Sequence, residues 1–160
     1  MKFGQFSSDD AGPTKSSDQH AKAFPLCGRY LMTWMNPGIL KQKVPKTWSA
    51  FVKWCASEDV ATEACTWGSG PLVQINSQAV GHANGRFTGG DVVFIHGKVA
   101  NSYEKGDGWM VWESTVLHEM IHWARRKQKL ENPPGVAEVG KEFEKEAYGG
   151  DVSLGMWRPG

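Results

Sequence analysis

Residues 111–126 read VWESTVLHEMIHWARR. In a helix, side chains four apart stand one turn above each other on a single face. His118 and His122 can therefore offer one imidazole nitrogen each to one ion, and Glu119 reaches the same pocket. The run His118-Glu119-Met120-Ile121-His122 is H-E-x-x-H, with two zinc ligands and a base at the spacing a helix demands. The flanking residues predict that helix. Leu117, Met120, Ile121 and Ala124 recur at i, i+3, i+4 and i+7 as an apolar stripe, with the histidine pair roughly a quarter turn round from it. Ser114 and Thr115 precede the motif. Arg125, Arg126 and Lys127 follow it, cations at the partially negative end of a helix. The pattern predicts a helix from about Trp109 to Gln128, stopped by Asn132-Pro133-Pro134-Gly135.

The first 22 residues are polar, rich in Ser, Asp and Lys, and lack periodicity, which predicts a flexible lead-in followed by one domain over 23–160. Phe24 to Trp34 is an apolar run and Asn36-Pro37-Gly38 marks a turn. Pro45 to Ala56 predicts a helix with Trp48, Phe51, Val52 and Cys55 on one face. Ser57 to Gly70 reads as a loop with at most one helical turn. Pro71 to Ile75 is a short strand, Gly81 to Gly90 is turn-like, and Asp91 to Val99 is the strongest strand signal in the chain. Tyr103 to Gly108 is another turn. Val136 to Tyr148 predicts a last helix, ended by Gly149-Gly150. Helix, small sheet, long helix, turn and helix make an α+β fold. In it, Val92–Ile95 lies beside the cleft, where its edge takes an extended chain by main-chain hydrogen bonds.

The length of 160 residues suits one domain with a real core. A net charge of +1, with no long basic run, argues against a nucleic-acid partner. No apolar stretch reaches membrane-spanning length, so membrane insertion is not expected. The N-terminus lacks the apolar region of a secretory signal. Three cysteines are too few for a disulfide scaffold, and their spacing does not suggest a zinc site. A Cys55–Cys65 bridge with Cys27 free, and three buried thiols, are equally compatible with the pattern. Eight tryptophans predict packed core and groove walls, with a sugar-binding platform as the less favoured alternative.

A catalytic zinc site needs a third protein ligand and an open position for water. Glu138, Glu142, Glu144, Glu146 and Asp151 follow the Pro-Pro turn. Glu142, Glu144 and Glu146 cannot all face one ion, because residues two apart on a helix point to different sides. Glu144 is the first choice, with Ala147 three residues on to let two helices pack closely and Tyr148 four residues on, over the same pocket. Glu146 and then Glu142 are the alternatives. The rest would form a solvated face with Lys141 and Lys145.

Ser114 to His122, followed by an acidic helix carrying E-x-x-A-Y-G (Glu144 to Gly149), resembles the zincin metallopeptidases. Within them, the short length and missing signal look like the metallopeptidase toxin domains of bacterial competition systems, including the C-terminal effector domains of some type VI secretion spike (VgrG) proteins. Tyr148-Gly149 is similar to the Tyr-Gly of the deuterolysin group, whose acidic ligand lies three residues before the tyrosine; here Lys145 has that place. The resemblance implies a zincin fold, bound Zn2+, peptidase activity on a protein or peptide substrate, secretion without a signal peptide into a rival cell's periplasm, and a cognate immunity protein. The chain is expected to act as a monomer.

The expected chemistry is hydrolysis of a peptide bond. His118, His122 and Glu144 hold zinc, Glu119 moves the proton from water to the leaving amine, and Tyr148 or His96 stabilises the oxyanion. His20 and His82 receive no role. The first rival is a peptidoglycan endopeptidase with tryptophans along a glycan groove. The second is a non-catalytic zinc-stabilised binding module, which would need a fourth protein ligand closing the site.

Overall fold

Three of the helices begin on a proline, the residue whose missing N–H costs nothing in a first turn. The computed structural model describes residues 1–4 and 22–152. In it α1 spans Pro25–Thr33, α2 Pro37–Lys43 and α3 Pro45–Cys55. The Asn36-Pro37-Gly38 turn is thus a helix start, in which the Asn36 side chain accepts from the Gly38 amide. Helix α3 follows the predicted face, burying Trp48, Phe51 and Cys55, and ends on Ala56 at φ 63°. Ser57 then caps a further helix by accepting from Val60 N, and α4 occupies Glu58–Cys65, where a loop was expected. Its buried face is Ala61, Ala64 and Cys65, side chains too small to give a strong apolar period.

The sheet is built from β1 (Lys2–Phe3), β2 (Leu72–Ile75), β3 (Gly85–Phe87) and β4 (Val92–Ile95), in the order β1-β2-β4-β3. β1, β2 and β4 run parallel, with Leu72 opposite Val92 and Ile75 opposite Ile95, while β3 lies antiparallel with Gly85 opposite Ile95. Two expectations change here. Residues 1–4 belong to the sheet rather than to a lead-in: Lys2 N donates to Pro71 O, Gly4 N donates to Val73 O, and Met1 and Phe3 are buried. Two paired residues are too few to show a period of two. Residues 5–21, with His20, lie outside the described residues, as does Trp157. The predicted strand 91–99 stops at Ile95, because the His96 side chain accepts from Lys98 N and starts α6 at Gly97–Glu104. Between β2 and β3 sits α5, Ser77–Val80.

Helix α7 (Trp109–Lys127) is the element the others surround. Trp112, Leu117, Met120 and Ile121 are fully buried along it, each contributing about 1.5–3 kcal/mol of burial. β3 and β4 pack on one side of α7, and α3, α4 and α8 (Val139–Tyr148) on another. The fold is α+β, a small mixed sheet and a helical layer on either side of the motif helix. Cys27, Cys55 and Cys65 are free and buried, and burial pushes the Cys65 thiol up to about 12. No helix among the described residues is long and apolar enough to cross a membrane.

Candidate metal centre

Two turns of α7, Thr115 to His122, and the first turn of α8 meet at the motif. His118 Nε2 lies 3.3 Å from Glu138 Oε2, and His122 Nε2 lies 2.8 Å from Glu138 Oε1. One nitrogen from each histidine and one Glu138 oxygen all fall within 4.8 Å of one another. Glu138 is the N-cap of α8: its carboxylate accepts from Gly140 N and Lys141 N, both at 2.8 Å. Those amides fix the carboxylate, and its remaining lone pairs are turned toward the imidazoles.

Glu144, the first choice from sequence, sits behind His118 rather than beside both rings. Its Oε1 lies 2.6 Å from His118 Nδ1, and its Oε2 accepts from Val152 N at 2.9 Å and from Lys141 Nζ at 3.3 Å. A carboxylate only accepts, so Nδ1 is the donor in this contact, and with a cation bound the Nε2 lone pair would face the pocket. Carboxylates that hold a ligating histidine this way orient the ring and raise its basicity. Glu146 is turned to the surface, accepting from Lys53 and Trp54, and Glu142 pairs with Lys145 at 2.7 Å. The pattern set Glu138 inside a helix beginning at Val136 and left it unranked; the helix begins at Val139, and Glu138, as its N-cap, meets the two histidines from the helix end rather than from a face.

Tyr148 does not line the pocket. Its hydroxyl donates to Glu113 Oε1 at 2.8 Å, and Tyr30 donates to the same buried carboxylate. Its proposed place on the oxyanion therefore gives way to a tie between α7 and α8. His96 is engaged as the α6 cap and is likewise absent from the cavity wall. His82, given no role from sequence, does line it. Its signal was only its position in a glycine-rich turn, beside what proves to be an edge strand.

Two glycines permit the approach. A Cβ on Gly140 would overlap the His118 ring, and a Cβ on Gly85 would fall 2.8 Å from both Glu119 Cγ and Thr115 Cγ2. Gly140 is thus the residue whose missing side chain lets the start of α8 lie against the His118 ring. Gly140→Ala should push the His118 ring aside and lower zinc affinity about tenfold or more, an overpacking strain of about 1–3 kcal/mol. Competition with a chromophoric chelator measures this.

The site is electrostatically unbalanced. Burial alone would raise Glu138, but its hydrogen bond with His122, the nearby His118 and the Gly140 amide bring it down to about 2. Burial would lower His118, yet the hydrogen bond to Glu144 and the charges of Glu119 and Glu138 outweigh it and raise that ring. Glu119 is raised by burial, against the pull of both histidines. Three carboxylates around two imidazoles leave negative charge that a cation would neutralise, and an N, N, O donor set suits zinc. The site opens into a cavity of about 680 Å³, walled on one side by α7 and α8 and on the other by residues 82–87 and Lys98. Among the described residues no tryptophan lines it.

A family model described as metallopeptidase toxin 3 matches residues 20–149. The chain belongs to that family. No curated protein and no solved structure matches the chain. Membership makes the chain a metallopeptidase toxin domain, a peptide-bond hydrolase with a metal cofactor, and gives the helix-borne histidines and Glu138 their context.

Proposed function

We propose that this chain is a zinc endopeptidase of bacterial competition, delivered into a target cell, where it cuts proteins of the periplasm. Its ion would be held by His118, His122 and Glu138, with Glu144 behind His118. The single observation that carries the reading is the convergence of both Nε2 atoms on the Glu138 carboxylate. When bound, zinc supplies a Lewis acid that polarises a carbonyl and acidifies water.

The chain's own residues do the rest. Glu119 accepts a proton from the attacking water and returns it to the departing amine. Glu144 keeps His118 in the tautomer whose Nε2 faces the pocket. β3 lies at the end of the sheet beside the cavity and offers main-chain groups to an extended substrate. That edge was expected on Val92–Ile95, but β4 is interior, paired on both sides.

The glycan-cutting alternative gains no support, since no tryptophan among the described residues lines the cavity. The non-catalytic binding module would need a fourth protein ligand, and the cluster found among the described residues has three. Treating the purified protein with a strong chelator should abolish cleavage of denatured casein, and equimolar zinc should restore it. Export of the protein to the periplasm of a test bacterium should arrest growth unless an immunity protein is co-produced. Full activity in protein shown to be free of metal would remove the zinc reading.

A further inference from the structure

The carboxylates of the cavity lining all lie on one side, and the cations without a carboxylate partner come from other elements. Glu119, Glu138 and Glu144 all stand on the α7 and α8 side. Those other elements contribute Arg86 from β3, Lys98 from α6 and His82 between them, and no carboxylate. These cations are not neutralised. Lys98 Nζ donates to the His82 carbonyl at 3.2 Å, and the Arg86 side chain has no hydrogen bond or ion pair among the described residues. Lys141, the other lysine of the lining, by contrast faces Glu144 at 3.3 Å and Asp151 at 3.6 Å.

Two unpaired cations at the edge where a peptide would lie are a recognition element, because a wall of one sign attracts the opposite charge and rejects its own. They line the same cavity as the base and the histidines without pairing to a carboxylate, so the group they would meet belongs to a substrate residue near the bond being cut. Arg86 offers a planar fork matched to a carboxylate, and Lys98 a point charge. Resting on the peptidase reading above, we infer that the cavity selects substrates bearing an aspartate or glutamate beside the scissile bond, with Arg86 and Lys98 as the residues that recognise it.

The test uses paired quenched-fluorescent peptides that differ by Glu or Gln at one position, scanned along both flanks of the cut bond. At one position the Glu peptide should show kcat/KM about tenfold higher, mostly through KM, and the advantage should shrink with added salt, as exposed charges are screened. In the Arg86→Ala/Lys98→Ala double variant the Glu-to-Gln ratio should fall to about one. Equal rates for every pair in the wild type would overturn the inference. So would a double variant that slows both peptides equally through kcat, since that would place the cations on the reacting carbonyl. A second measurement needs no turnover: zinc-loaded Glu119→Gln should bind the Glu peptide more tightly than the Gln peptide in fluorescence anisotropy, and Arg86→Ala should erase the difference. Equal binding overturns the inference. Failure of the wild type to cut any peptide counts against the peptidase reading instead.

Discussion

Glu138→Ala is expected to leave the purified protein with almost no zinc, whereas Glu144→Ala should keep its zinc at about 10–100-fold lower affinity, as loss of an outer carboxylate does. Glu138 lies against the Nε2 atoms of both histidines, while Glu144 reaches only the Nδ1 of His118. Removing the first takes one of three donors; removing the second loosens a ring that still has its donor atom. Glu138→Ala also strips the cap of α8, worth about 1 kcal/mol. Glu138→Gln separates the two effects, because the amide oxygen can still accept from the Gly140 and Lys141 amides while the charge is gone. Metal analysis after dialysis, with circular dichroism as the check on folding, gives the answer. Zinc retained by Glu138→Ala and lost by Glu144→Ala would return the third ligand to Glu144.

That comparison turns on where sequence reasoning worked. The period of Leu117, Met120, Ile121 and Ala124 located α7, and the spacing of His118 and His122 put both rings in one cavity. Such patterns are local, and a helix translates them directly into geometry. The α+β class followed from the order of elements. What the sequence could not express was set by distant segments. Glu138 is chosen by the way the Pro-Pro turn returns α8 across α7, and Gly140 records that approach without naming its partner. Gly85 looked like a turn residue, yet it is glycine because Glu119 and Thr115 lie against it. Tyr148 shares a face with Glu144 but lies one turn further along α8, where the buried Glu113 takes its hydroxyl. β1 was invisible because its two residues gain their structure only from β2.

Glu119→Gln should lower kcat about 10²–10⁴-fold, the usual worth of a positioned general base, with zinc content and KM little changed. The substitution keeps shape and removes only the capacity to take a proton, so the loss would fall on the chemical step rather than on binding. Burial raises the Glu119 pKa, with His118 and His122 pulling the other way. A carboxylate shifted upward is a stronger base near neutral pH, which is the direction its task requires. The same shift means that, in the metal-free fold, ionised Glu119 costs stability above its folded pKa, a cost that vanishes as pH falls below the unfolded value. Neutral glutamine removes that cost. The thermal midpoint of metal-free Glu119→Gln at pH 8 should therefore equal or exceed that of the metal-free wild type. A variant that is folded, zinc-loaded and still proteolytic would take Glu119 out of the reaction. One that loses both zinc and midpoint would instead make this carboxylate part of what holds the metal.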